Sequence, residues 1–405
     1  MLISEPNWII KSILDSDLYK FSMQKFVLDL FPDAIAEYRF INRGRHDFGD
    51  PIFIKRLKEE ITNLTYLKLT DAEEDFLTKN CPYLGKGYIN YLKNFRFKSY
   101  QIEIKTGAGT EDGFELVIKG PWLETILFEV PLMAIISELY YQTQESTDYN
   151  SKVILEEQRK KAWEKIDALT KNGCNFADFG TRRRRSYRIQ KLLIETFERY
   201  KNSQSTFSGT SNVNFARIYG LKPKGTMAHE IVMGMQSLES INHCNYYAMQ
   251  KWKEVYKGSS LGIALADTIG TDMFLLDFNK ELSSLYQGVR QDSGDPFEFT
   301  DKMVSHYKKL RINPLSKIII FSDSLNVEKA IKIKEYCDDK IQCSFGIGTF
   351  FTGNFGPESP PLNMVIKLHS INNFPVCKIS DDDGKETGNK KSIETMKWII
   401  HKHLN

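Results

Sequence analysis

From residue 175 onward, short apolar runs end in polar clusters and give way at once to helical patterns, and this alternation is kept up to residue 349. Residues 175–181 (Asn-Phe-Ala-Asp-Phe-Gly-Thr) lead into a helix over 182–200, residues 207–212 into one over 213–219, and residues 224–230 into one over 231–238. Residues 262–268, 286–296, 317–324 and 343–349 repeat the device. Strands buried on both faces read as continuous apolar runs, and Lys-Ile-Ile-Ile-Phe at 317–321 fits that description best. Polar residues gather at the C-terminal end of each run, so the pattern predicts a βα barrel with those ends at one mouth.

The first part of the chain has another rhythm. Residues 13–30 predict an amphipathic helix opened by the capping residues Asp15, Ser16 and Asp17. Residues 35–41 alternate as a half-buried strand, and 42–51 are rich in turn formers. Residues 53–98 read as helical with a break at Pro82, and 97–105 with 114–118 predict a hairpin about the glycine-rich turn 107–113. An apolar helix interrupted at Pro131 is expected over 122–141, and a charged amphipathic helix over 150–171. This part is mixed α+β, with no repeat of its own.

At 405 residues the chain exceeds one typical domain and predicts two, or a barrel with a sizeable addition. With 41% hydrophobic and 26% charged residues the composition is that of a globular protein, not a disordered one. A net charge of +3 gives no support to a nucleic-acid partner. The six cysteines include no C-x-x-C pair, which suits free thiols in a reducing compartment and argues against a metal site built from them. The N-terminus lacks a basic leader, and no run of about 18 apolar residues occurs, so a cytoplasmic protein with no membrane partner is expected.

The stretch Tyr286-Gln-Gly-Val-Arg290-Gln-Asp292-Ser293-Gly-Asp295-Pro296 puts one fixed cation and its carboxylates in a strand-to-helix loop, where α/β proteins carry their chemistry. Residues 344–349 place Gly346, Gly348 and Thr349 after a short strand, where backbone N–H groups can converge on a phosphate or simply make a tight turn. Asp267, Asp292 and Asp323 stand at corresponding strand ends and are candidates for ribose hydroxyls or a phosphate-bound Mg²⁺. The run Arg182-Arg-Arg-Arg185 reads as a solvated helix face, an RNA-binding patch or, directly after Phe179-Gly180-Thr181, a set of guanidiniums for a polyphosphate. His229 opens a predicted helix, where a histidine is more often structural than catalytic. Tyr19 sits in the first turn of its helix, where an aromatic is more often core than ligand platform.

In order and spacing these motifs resemble the nicotinate phosphoribosyltransferase family. The segments that carry the resemblance are Asp15-Ser-Asp17-Leu-Tyr19, Phe179-Gly-Thr-Arg-Arg183, Gly209-Thr-Ser-Asn212, Gly225-Thr-Met-Ala-His-Glu230, Asp267-Thr-Ile-Gly-Thr-Asp272, Gly288-Val-Arg-Gln-Asp-Ser-Gly-Asp295, Phe321-Ser-Asp323, Phe345-Gly-Ile-Gly-Thr349 and Pro361-Leu-Asn-Met-Val-Ile-Lys367. They span nearly the whole chain. Ile269, Gln291 and Ser324 stand where the family commonly has an aromatic residue, a histidine and a glycine.

The resemblance implies an irregular α/β barrel of the type II phosphoribosyltransferase kind over residues 136–350. Beside it would lie a mixed α+β sandwich-like domain formed by 1–135 and completed by 351–405, with strands at 362–367 and 376–379 returning to it. It implies a ligase-class reaction that joins nicotinate to 5-phosphoribosyl 1-pyrophosphate (PRPP), giving nicotinate mononucleotide and pyrophosphate with coupled ATP hydrolysis, in NAD biosynthesis. By motif, Tyr19 would stack on the pyridine ring, in its own chain or across the boundary of a homodimer that shares its active site, and Arg290 with Thr226 would hold nicotinate. Arg182, Arg183, Asp267, Asp323, Gly346, Gly348 and Thr349 would serve PRPP. His229 would be phosphorylated by ATP, with Arg290 and Asp292 as its catalytic companions; Mg²⁺ would accompany the phosphates, and no metal would be held by the protein alone.

Overall fold

The computed structural model describes residues 8–405 except 108, 111–112, 146, 150, 201–204, 258–260 and 383. The N-terminal residues 1–7, parts of the 107–113 turn and the expected helix start at 150 therefore lie outside the described residues.

Two sheets organise the chain. The antiparallel one contains β1 (Ile35–Asn42), β2 (Ile102–Thr106), β3 (Phe114–Pro121), β10 (Met364–Ile371) and β11 (Phe374–Pro375), in the order β11-β10-β1-β3-β2. Alternation builds it: Ala36 and Tyr38 on β1, Leu116 and Ile118 on β3, and Ile366 and Leu368 on β10 are buried while intervening residues reach solvent. β10 runs antiparallel to β1 from Asn42 opposite Met364 to Ala36 opposite Ile371, so the C-terminal strand joins the N-terminal sheet. The strand expected at 376–379 does not form. Gln236 takes both backbone groups of Cys377, donating to its carbonyl at 2.7 Å and accepting from its N–H at 2.9 Å, so that segment has a side chain where a ladder would be.

The parallel sheet contains β4 (Phe176–Asp178), β5 (Phe207–Thr210), β6 (Ile263–Leu265), β7 (Gly288–Gln291), β8 (Ile318–Phe321) and β9 (Gln342–Ile347), in the order β5-β4-β9-β8-β7-β6. Helices follow these strands, which makes the architecture an α/β barrel. The barrel is irregular at one seam, because β5 and β6 do not pair with each other. Residues 222–226 fill the seam: Pro223 bridges Thr210, Lys224 N donates to Thr210 O at 2.9 Å, and the Thr226 hydroxyl donates to Ile263 O at 3.2 Å. Gly209 is small for this reason, since a Cβ there would collide with the Lys222 carbonyl.

Two local expectations change. Pro131 is the third residue of the helix Glu129–Gln144, where a first-turn N–H has no partner within the helix, so it interrupts nothing. The interruption is the 3₁₀ turn Ile126–Phe128 just before it. The arginine run is not on a helix face either, since the helix starts at Tyr187, with the Ser186 hydroxyl accepting from Ile189 N at 3.1 Å.

Arg184 and Arg185 are instead core residues. Arg185 lies over the Tyr141 ring, 3.5 Å from its centroid. Arg184 makes a two-pronged pair with Asp15, at 2.7 and 2.9 Å, with both side chains fully buried. This pair ties the N-terminal segment to the barrel, helped by Leu18 N donating to Ser211 O and Val213 N to Ser16 O. Asp15→Ala leaves a buried guanidinium without its counter-charge and is expected to cost about 3–5 kcal/mol of stability. Urea unfolding measures it, and a loss below about 1 kcal/mol contradicts the structural role given to the pair.

Candidate active site

The C-terminal ends of the parallel strands face β1 and β10 across a cavity of about 520 Å³. Tyr19, Arg182, Arg183, His229, Arg290, Asp292, Asp323, Gly346, Gly348 and Thr349 all line it. Thr226 and Asp267 do not.

Tyr19 enters from the first turn of the helix Leu18–Leu30, whose preceding residue Asp17 accepts the Ser211 hydroxyl at 2.7 Å. The Arg182 guanidinium lies 5.8 Å from the Tyr19 ring centroid. Tyr19 belongs to the same chain as Arg290 and His229, so it reaches the cavity without a second subunit. Phe179 supplies another aromatic wall. A Cβ on Gly346 would fall on the Phe179 ring, and one on Gly348 would lie 2.9 Å from the Phe179 carbonyl oxygen. The two glycines expected to expose N–H groups to phosphate are thus also the floor on which Phe179 packs. The motif contained Phe179, but the strand pairing that lays it on Gly346 is not visible in sequence.

Arg290, on β7, donates from Nη1 to Met227 O at 3.1 Å and sits 3.5 Å from Asp292 Oδ2 through Nη2. Its Nε is buried and has no partner among the described residues, so the guanidinium is incompletely satisfied. Asp292 accepts the Ser322 hydroxyl at 2.6 Å and lies 3.0 Å from His229 Nε2. Burial opposes its charge, yet Arg290 and the His229 hydrogen bond hold its carboxyl well below the usual carboxylate range.

His229 is the first residue of the helix His229–Leu238 and is buried. Burial and Lys378 push its imidazole down to about 4 against the opposing pull of Asp267 and Asp292, so the ring is neutral. Asp292 can only accept, which assigns the proton to Nε2; Nδ1, 3.0 Å from the Thr268 hydroxyl, then accepts from it. Asp267, expected at ribose or phosphate, is fully buried behind this histidine. Its Oδ2 accepts from Ser293 at 2.5 Å, pairs with Lys378 at 3.2 Å and lies 4.0 Å from His229 Nε2. Thr226 spends its hydroxyl on the barrel seam and faces the cavity inside the barrel, which Arg290 also lines.

Among the described residues, eight lysine and arginine side chains line the site against five carboxylates, a balance that favours a multiply charged anion. Arg43, Lys224, Lys367, Lys378 and Lys385 were not foreseen as site residues. Burial pushes Lys367 down to about 8 and Arg183 down to about 10, which marks both as cations short of counter-charge. Asp323 pairs with Lys385 at 3.0 Å. Among the described residues no group of three or more His, Cys, Asp or Glu side chains is arranged to hold a metal ion, and no helix is long and apolar enough to cross a membrane.

Residues 174–401 match the model of the nicotinate phosphoribosyltransferase (NAPRTase) family, and residues 14–137 match that of the NAPRTase N-terminal domain. The chain is 48% identical to the nicotinate phosphoribosyltransferase of Methanosarcina acetivorans, over 97% of this chain and 98% of the relative. The crystal structure of nicotinate phosphoribosyltransferase from Porphyromonas gingivalis superimposes with a TM-score of 0.91 at 36% identity, covering 97% of this chain and 100% of that one. The Vibrio cholerae enzyme gives a TM-score of 0.90 at 34% identity, covering 98% and 95%. With both family models matched and relatives aligned from end to end, the chain belongs to the nicotinate phosphoribosyltransferase family.

Proposed function

We propose that the chain transfers the phosphoribosyl group of PRPP to nicotinate, releasing pyrophosphate, and that it couples this step in NAD formation to ATP hydrolysis through a phosphorylated His229. The observation that carries the reading is one cavity holding an incompletely satisfied guanidinium (Arg290), two aromatic walls (Tyr19 and Phe179), an excess of cations and a neutral histidine.

The chemistry asks mainly for positioning and charge neutralisation. The C1–O bond to pyrophosphate breaks as the pyridine nitrogen attacks C1, through an oxocarbenium-like transition state. The ring is held flat between Tyr19 and Phe179, with its carboxylate at Arg290. Lys367, Lys378, Arg182 and Arg183 line the same cavity and neutralise the leaving pyrophosphate. Asp292 joins the two halves of the site, pairing with Arg290 and accepting from His229. The carboxylates at the cavity suit a Mg²⁺ that arrives on the substrate phosphates, since that ion keeps waters and takes one or two protein oxygens.

For the phosphoryl step, the lone pair of the neutral imidazole lies on Nδ1, so the Thr268 hydroxyl releases that nitrogen as it attacks the γ-phosphorus of ATP; ADP leaves, Asp292 holds the Nε2 proton, and water later cleaves the P–N bond. A nicotinamide-specific relative is the competing reading. Arg290 favours the acid, because a carboxylate gives the guanidinium a second anionic partner beside Asp292 where an amide offers only a dipole.

Three outcomes follow from these roles. Arg290→Ala raises the nicotinate KM about tenfold or more and narrows the acid-to-amide preference, measured as the ratio of kcat/KM values. Unchanged discrimination removes Arg290 from carboxylate recognition. His229→Ala abolishes ATP hydrolysis and ATP stimulation but leaves a slow ATP-independent synthesis; full stimulation in the variant contradicts the phosphohistidine. Finally, because the folded imidazole is held near 4, label transfer from γ-labelled ATP does not fall through histidine protonation between pH 8 and pH 6. The same depression means that the stability contributed by neutral His229 is complete above its ordinary value of 6.5 and is lost as pH falls toward 4.

A further inference from the structure

Each ligand-facing group at one end of the cavity has a neighbour in a single buried charge network. Lys20, next to Tyr19 in sequence and fully buried, reaches Glu129 Oε2 at 2.7 Å and Glu230 Oε2 at 2.5 Å. Glu230, next to His229, accepts from Trp122 Nε1 at 2.7 Å and from the Tyr38 hydroxyl. The second oxygen of Glu129, Oε1, takes Arg182 Nη1 at 3.3 Å. Burial opposes charge on Glu129, but Lys20 and Arg182 outweigh it and hold the carboxyl down to about 2.

The two cations are held unequally. Lys20 is sealed in the core, whereas the Arg182 side chain is 38% exposed and its contact is long for a charge-assisted bond. Arg182 is therefore the member free to leave. A phosphate in the cavity offers it a two-pronged partner in place of a single carboxylate oxygen. Glu129 itself cannot follow, because Lys20 fixes its other oxygen.

We propose that Glu129 is a positioning residue that holds Arg182 back from the phosphate part of the cavity, so that the phosphates of PRPP must draw Arg182 off Glu129 in order to bind. The proposal rests on the reading of PRPP as the substrate of this cavity. It also gives the network a purpose beyond stability, since Lys20 and Glu230 brace the one carboxylate that acts as a catch.

The test compares wild type with Glu129→Gln and Glu129→Asp. The aspartate keeps a charge opposite Lys20 but withdraws it from Arg182 by one methylene, so it remains informative if the glutamine variant fails to fold. Without ATP, the KM for PRPP is expected to fall about three- to fivefold in the variants, the scale of a partly exposed ion pair, while kcat changes less. A KM that is unchanged or raised without ATP overturns the restraint, because a merely structural role predicts loss and not gain. Calorimetry with PRPP alone supplies the separate arm: no binding to wild type overturns the PRPP reading, and binding that the variants do not tighten overturns the restraint.

Discussion

β10 reaches the cavity only because it pairs with β1, far earlier in the chain, from Asn42 opposite Met364 onward. The distance in sequence is a small obstacle, since the entropy of closing a flexible loop grows only logarithmically with its length, by about 0.6 kcal/mol per doubling. What the ladder does is set one wall of the site. Leu362, Met364, Ile366 and Lys367 line the cavity opposite the barrel mouth, and Lys378 arrives on the segment that follows. Without this pairing the strand ends of the barrel would face solvent, and the cations at its mouth would be screened by water and salt.

The second constraint is electrostatic. A site for a polyanion must keep several cations close together before the ligand comes, which is self-repulsive. The chain answers by burying carboxylates just behind the surface: Glu129 behind Arg182, Asp267 behind Lys378, and Asp292 between Arg290 and His229. Lys20 then compensates Glu129 and Glu230 from the core side. Lys367 and Arg183 are left least compensated, and burial depresses both. Charge shortage at those two points is where an incoming phosphate gains most.

Much of this was legible in the chain itself, and the limits have physical causes. Alternating apolar runs and helices gave the barrel because local periodicity decides such elements, and the glycine-rich and charged strand ends marked its mouth. Direction of side chains was not legible. Arg182 and Arg183 reach the cavity while Arg184 and Arg185, next in line, are buried, since a 3₁₀ turn at Thr181–Arg183 sends them apart. Asp267 occupies the same kind of strand end as Asp292 yet lies behind His229. Thr226 is drawn into the seam between β5 and β6, a defect that no repeat pattern announces. Phe179 and the lysines of the C-terminal segment depend on pairings between distant segments, which composition and periodicity do not contain.

The central claim is that this one cavity binds PRPP and nicotinate together and joins them. Phosphorus NMR of the purified protein with both substrates and Mg²⁺ tests it most directly. The account predicts that PRPP resonances give way to equal amounts of nicotinate mononucleotide and pyrophosphate, and that nicotinamide in place of nicotinate yields far less nucleotide. Pyrophosphate appearing without nucleotide, or equal turnover of the amide, would contradict it.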